Sequence, residues 1–330
     1  MKRILTTYMN CSLGGMTSVY RGRCLHQPDV QFDHVFEFDR GGRDAFAAFP
    51  NATVRVIPGE RTVNYFEFLL AQFEYQQLRI TSRPELVNKL NVPESTSVIY
   101  EFHSPHPSIV TRELKTLDMS RIDEIWTPSD WASELVRSLL PARKHATIRT
   151  VPNLVDTGSF RADARGISPL DKRPGQKPVS WIGRLENTQK NYLDFLRILK
   201  LLPEDHYGVV IFSLEQTPDR LERFLGDAAM LGVLDRLEIY GNVPQMEVAS
   251  THRAVRDAGG VFCSTALNET FGYAVLEAAL TGCPVVSYDV GPLAEHAVDM
   301  RLTPVGDLLG TARAILELTS APVVAAGLRR

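Results

Sequence analysis

Cysteine is scarce: only Cys11, Cys24, Cys263 and Cys283 occur in 330 residues, with no C-x-x-C pair. That excludes a disulfide-framed fold and the usual zinc-ribbon spacings, and it reads as a set of reduced, cytosolic thiols. No apolar run approaches the ~20 residues needed to span a bilayer. The N-terminus turns polar after Met-Lys-Arg-Ile-Leu-Thr-Thr-Tyr, without a signal core, so secretion is not expected. Charge of one sign is also missing. Residues 1–155 hold 18 Lys/Arg and 17 Asp/Glu, and residues 156–330 hold 18 and 22, so neither half offers a nucleic-acid groove or polybasic anchor. G-x-G-x-x-G is absent, which weakens a dehydrogenase reading, and so is the phosphate-loop pattern G-x-x-x-x-G-K-[ST]. No D-x-D occurs either, which removes one common metal-holding pair of carboxylates.

What is present is a rhythm. At ~100–200 residues per domain the length suits two domains. Strand-like runs alternate with helical segments along both halves. In the first half the runs are Arg3–Tyr8, Val30–Phe38, Thr53–Ile57, Ser97–Phe102, Ile122–Thr127 and Thr147–Val151. In the second they are Val179–Ile182, Gly208–Phe212, Leu237–Tyr240, Gly260–Cys263, Pro284–Tyr288 and Arg301–Pro304, with helices from Tyr192, Pro218, Gln245, Phe271 and Asp307. Short β-branched runs separated by 10–15 helical residues predict parallel sheets with right-handed crossovers, hence two doubly wound α/β domains. The boundaries are expected at 1–155, a Pro-, Gly- and charge-rich linker at 156–178, and 179–330. Ligands of such sheets bind beyond the carboxyl ends of the strands, so two such domains facing each other predict a cleft there.

The most informative stretch follows the run ending at Cys263. It reads Ser-Thr-Ala-Leu-Asn-Glu-Thr-Phe-Gly-Tyr-Ala-Val-Leu-Glu-Ala. Glu269 falls in the loop, and Thr270, Phe271 and Gly272 are expected to open a helix carrying Glu277. First-turn amides have no intrahelical partner and suit phosphate or sugar hydroxyls. Gly272 leaves the entrance clear of a side chain, and Glu277 is placed to accept hydrogen bonds from a diol such as a ribose. By spacing alone, a capped helix with two solvated glutamates is an equal reading.

The segment Asn268–Ala278, followed by Thr-Gly-Cys-Pro-Val-Val-Ser and Gly-Pro-Leu-Ala-Glu, resembles the signature of retaining family-4 glycosyltransferases, group 1 enzymes with the GT-B fold. The likeness extends upstream to Trp-Ile-Gly-Arg-Leu-Glu-Asn-Thr-Gln-Lys-Asn from Trp181. It also takes in Thr150–Phe160, where Leu154 stands in place of the usual Gly. It covers roughly residues 120–300, and the first domain more loosely. The resemblance implies a nucleotide diphosphate-sugar donor, with Glu269 on sugar hydroxyls, Glu277 on the ribose, and Arg184 and Lys190 on the diphosphate. Two fixed cations and a helix N-terminus would neutralise a departing diphosphate without metal or other cofactor. It places base contacts at Asn242 and Val243, a donor-side glycine turn at Gly14 and Gly15, and a histidine beside the sugar at His103, preferred over His106. Read alone, each of these is an ordinary turn, a surface charge or a structural histidine.

The aromatic stretch Glu60–Arg83 reads as a helix packed on its own domain, in preference to a membrane contact. The function expected is retaining transfer to an acceptor hydroxyl in glycan, glycolipid or glycoconjugate biosynthesis, in the cytoplasm. The acceptor, whether saccharide, lipid-linked or small molecule, is not legible. Alternatives are a nucleotide-sugar-binding subunit without activity, or a GT-B epimerase or phosphorylase. The family usually carries a longer tail whose last helix crosses back onto the first domain; with the sequence ending at Gly327-Leu328-Arg329-Arg330, the expectation is either that this helix is missing or that the chain is truncated.

Overall fold

A computed structural model of the chain describes residues 2–164, 173, 175–213 and 218–320. Most of the expected linker stretch 165–178 and the chain end 327–330 lie outside the described residues. The fold divides into two compact units, Met1–Leu154 and Val155–Arg330.

The first unit runs β1 (Lys2–Ser12), α1 (Gly15–His26), β2 (Val30–Arg40), β3 (Ala52–Val56), α2 (Thr62–Gln72), β4 (Gln77–Thr81), α3 (Pro84–Lys89), β5 (Ser97–Glu101), α4 (Pro107–Thr116), β6 (Glu124–Thr127), α5 (Asp130–Leu139) and β7 (Ile148–Thr150). Its seven strands form one parallel sheet in the order β3-β2-β1-β4-β5-β6-β7. Leu5, Leu78, Ile80, Tyr100 and Ile125 build the core under α2 to α5. Helix α5 starts where its pattern begins, because the Ser129 hydroxyl accepts the Ala132 N–H at 3.2 Å.

Two expectations change here. Glu60–Arg83 is not one helix: α2 ends at Gln72, and Gln77–Thr81 is a central strand between β1 and β5. Its sequence, Gln-Leu-Arg-Ile-Thr, hides the strand because Arg79 is buried within the sheet. Helix α2 packs on its own unit through Phe66, Leu69 and Leu70. Strand β1 also continues past Tyr8 to Ser12, since Asn10, Cys11 and Ser12 stay paired with Phe38, Asp39 and Arg40 of β2.

The second unit runs β8 (Lys177–Ile182), α6 (Tyr192–Leu201), β9 (His206–Phe212), α7 (Pro218–Leu231), β10 (Leu237–Gly241), α8 (Gln245–Asp257), β11 (Val261–Ser264), α9 (Tyr273–Leu280), β12 (Val285–Tyr288), β13 (Arg301–Thr303) and α10 (Leu308–Ser320). Six parallel strands lie in the order β10-β9-β8-β11-β12-β13. Every residue of β9 is buried, as expected of a strand covered on both faces. All four cysteines are buried free thiols, pushed up to about 12 by desolvation, and so are inert near neutrality. Among the described residues, no helix is long and apolar enough to cross a membrane.

Candidate active site

Strand order in the second unit reverses at β8: β9 and β10 lie on one side, β11 to β13 on the other. The loops that leave β8 and β11 therefore diverge to opposite faces, and the crevice they leave is where such sheets hold ligands. Those loops are residues 183–191 and 265–272.

They are joined through the main chain first. The Leu267 N–H donates to the Gln189 carbonyl at 2.7 Å. The Thr265 hydroxyl lies 3.2 and 2.8 Å from the carbonyls of Lys190 and Asn191, and it accepts the Trp181 indole N–H at 3.1 Å. Within 183–191, the Glu186 carboxylate accepts the N–H groups of Thr188 (2.7 Å), Gln189 (2.9 Å) and Lys190 (2.7 Å) as well as the Thr188 hydroxyl. Burial alone would raise its pKa, but these donors outweigh burial and hold it below the usual carboxylate range. Glu186 thus organises the turn that presents Arg184 and Lys190. Gly183 is required here. A Cβ would sit 2.8 Å from the Trp181 ring and 3.0 Å from Lys190 Cβ.

This framework assembles the predicted cations and the loop glutamate. Lys190 Nζ donates to Glu269 Oε1 at 2.5 Å, in a largely buried pair. The Arg184 guanidinium donates to Gln189 Oε1, whose amide donates to the Asn268 carbonyl at 3.3 Å. The Glu269 main chain rests on Gly291, where a Cβ would lie 2.1 Å from the Glu269 carbonyl oxygen.

The helix entrance differs from expectation. Thr270 and Phe271 precede helix α9, which starts at Tyr273 behind Gly272 in left-handed conformation (φ 84°, ψ 46°). The Phe271 carbonyl lies 2.5 Å from His296 Nε2, and a Cβ on Gly272 would meet Leu293 Cδ2 at 2.4 Å. The first intrahelical bond is Leu276 N–H to the Gly272 carbonyl at 3.1 Å, so the amides before it carry none. Glu277, the fifth helical residue, takes a different partner: its Oε1 accepts from Gln245 Nε2 at 3.0 Å. Asn242 is left-handed (φ 53°) and its N–H donates to the Phe212 carbonyl at 2.8 Å, so that amide is not a donor for a base. Val243 packs beside Phe160, Ile211 and Val248.

Gly14, Gly15 and His103 belong to the first unit. Gly14 caps α1 in extended conformation, its N–H 3.3 Å from the Ser12 hydroxyl, and the space around Gly15 is open. His103 follows β5, with Nε2 3.6 Å from Glu101 Oε2. Sequence reasoning missed Gln189, Thr265, Gln245, Gly291 and His296, each of which meets a residue distant in the chain. It also missed Glu101, a carboxylate inside an apolar run, which was a visible signal. Among the described residues, no group of three or more His, Cys, Asp or Glu side chains is placed to hold a metal ion.

Two parallel α/β units, the second with a paired cation and carboxylate at its strand-order reversal, define the GT-B class of fold. Solved structures with this fold cover nearly the whole chain. Anabaena HepE in complex with UDP and glucose aligns with TM-score 0.79 and 15% identity, covering 97% of this chain and 90% of that one. Sucrose-phosphate synthase of Thermosynechococcus elongatus aligns with TM-score 0.77 and 18% identity, covering 96% and 90%. Residues 176–321 match the model of the family described as Glycosyl transferases group 1, as the motif resemblance implied. A 2-deoxystreptamine N-acetyl-D-glucosaminyltransferase of Streptomyces fradiae is 27% identical over 206 residues, 59% of this chain and 47% of that protein. The chain thus spans about half the length of that curated relative.

Proposed function

We propose that the chain is a retaining, metal-independent glycosyltransferase that moves a sugar from a nucleotide diphosphate-sugar to an acceptor hydroxyl. The role suggested is glycan, glycolipid or glycoconjugate biosynthesis in the cytoplasm. The observation that carries this reading is the Lys190–Glu269 pair, held beside Arg184 at the β8/β11 reversal. The HepE structures hold UDP with glucose, or UDP-glucose, ligands of the class proposed.

In the free protein Lys190 and Glu269 satisfy each other. A diphosphate brings a stronger anion, so Lys190 and Arg184 turn to its oxygens, and the carboxylate of Glu269 is released to accept sugar hydroxyls. The amides behind Gly272, with Thr270 and Phe271 before them, face the same phosphates with the positive end of the α9 dipole. Glu277 accepts from the ribose in exchange for Gln245. We assign His103 and the Gly14–Gly15 turn, both in the first unit, to the same reaction. As the bond from the anomeric carbon to the phosphate oxygen breaks, the diphosphate leaves with the electron pair. The acceptor oxygen bonds to the same face, and its proton passes to the leaving phosphate. Fixed cations aimed at that developing charge supply the acceleration.

The test is turnover of a panel of nucleotide diphosphate-sugars in chelator, read as nucleoside diphosphate release, with the anomer of the product assigned by NMR. Release of diphosphate with retained configuration supports the proposal. Inverted product, or no donor consumed while nucleoside diphosphate still binds, overturns it.

A further inference from the structure

The carboxyl end of β5 holds a charged group that the sequence reading passed over. Glu101 is wholly buried, two residues before His103, and alternation along an extended chain places the two side chains on the same face. Arg23 of α1 grips both carboxylate oxygens: Nη2 lies 2.9 Å from Oε1 and Nη1 3.2 Å from Oε2. The Thr81 hydroxyl of β4 donates to Oε2 at 3.2 Å, and His103 Nε2 faces the same oxygen at 3.6 Å. Arg79 of β4 and Tyr20 of α1 complete the groups around it.

We propose that Glu101 is the positioning residue for His103, fixing which ring nitrogen carries the proton and how the imidazole is oriented. The proposal rests on His103 serving the transfer reaction proposed above. A carboxylate only accepts hydrogen bonds, so it selects the neutral ring protonated at Nε2 and leaves Nδ1 as the acceptor. Burial favours the protonated acid, but Arg23, His103 and Arg79 outweigh burial and keep Glu101 ionised. The anion is therefore permanent, and it also stabilises positive charge on the ring should one form. Arg23 and Thr81 both hydrogen-bond Oε2, and Oε1 meets Arg23 as an ion pair, so a purely structural pair is the competing reading. Buried ion pairs are often replaceable by apolar groups without loss of stability, so the histidine on the shared oxygen is what gives this one a use.

The experiment is imidazole nitrogen NMR on the full chain, with the His103 signal assigned by its loss in His103→Gln. The wild-type ring is expected as the Nε2–H tautomer, and in Glu101→Gln, whose amide can both donate and accept, that preference gives way to a mixture of tautomers. A wild-type ring protonated at Nδ1 overturns the proposal without any variant, and so does an unchanged tautomer in Glu101→Gln. In turnover, Glu101→Gln lowers kcat about 10-fold or more with the donor KM nearly unchanged, and Glu101→Asp restores most of it. Wild-type kcat in Glu101→Gln, where His103→Gln is inactive, also overturns it. If the chain turns over no nucleotide sugar yet shows the Nε2–H tautomer, the transfer reading fails and the Glu101–His103 pairing stands.

Discussion

The Lys190 ammonium and the Glu269 carboxylate, 79 residues apart in the chain, lie 2.5 Å from each other in a largely buried pair. The two groups assigned to the diphosphate and to the sugar therefore hold each other in the free protein. On the proposed reading, a nucleotide sugar exchanges this one strong contact for two. This coupling separates binding from chemistry. In Glu269→Gln, Lys190 loses its competing anion, so nucleoside diphosphate affinity stays at the wild-type level or rises by a few-fold. Turnover falls about 10²-fold or more, because a contact to the reacting sugar is lost. Calorimetry beside initial rates checks this. A large loss of diphosphate affinity would show that Glu269 organises the site and does not compete within it.

Two glycines set the positions of the loop and the helix entrance. Gly272 is left-handed against Leu293, and Gly291 is left-handed (φ 56°) against the Glu269 carbonyl. Alanine at either position combines backbone strain with a clash, so each variant should lose about 2 kcal/mol or more of unfolding free energy. Gly291→Ala should also lose turnover beyond its loss of stability, since the clash displaces Glu269. Gly226, in α7 with open space around it, is the control: Gly226→Ala should gain about 0.5–1 kcal/mol. Denaturant melts of the three variants rank the effects.

Acid sensitivity follows from two buried histidines. Burial holds His34 and His252 neutral, each lowered to about 3, and neighbouring arginines push in the same direction. In the unfolded chain each titrates near 6.5. Between these values the unfolded state binds more protons, so stability is fully present above about pH 6.5 and is lost as pH falls toward 3. The slope is about 1.4 kcal/mol per pH unit for each histidine. His34 is bonded to Thr6 and Cys24, whereas neither ring nitrogen of His252 has a hydrogen-bond partner among the described residues. His252→Leu should therefore stabilise at pH 7 and by more at pH 5. An equal change in melting midpoint at both pH values would contradict this.

The second unit was the more legible in the sequence. Its central strands β8, β9, β11 and β12 are buried along nearly their whole length and read as apolar runs, and Arg184, Lys190 and Glu269 follow strands at loop positions. In the first unit, β4 stayed hidden because a buried arginine interrupts its apolar pattern. The left-handed entry at Gly272 was invisible for another reason. The partners packed at that entrance, His296 on the Phe271 carbonyl and Leu293 against Gly272, lie 25 and 21 residues further along the chain. Glu101 was visible but unread, since a carboxylate at the end of an apolar run gains meaning only once Arg23 is seen against it. Local pattern carried the elements, and contacts between loops carried the site.

The most direct test is titration calorimetry of a nucleoside diphosphate in chelator against the wild type, Arg184→Ala and Lys190→Ala. Each charge-assisted contact is worth about 1.5–3 kcal/mol, so each variant should bind about 10- to 100-fold more weakly than the wild type. Wild-type affinity in both variants would contradict the assignment of the diphosphate to this site.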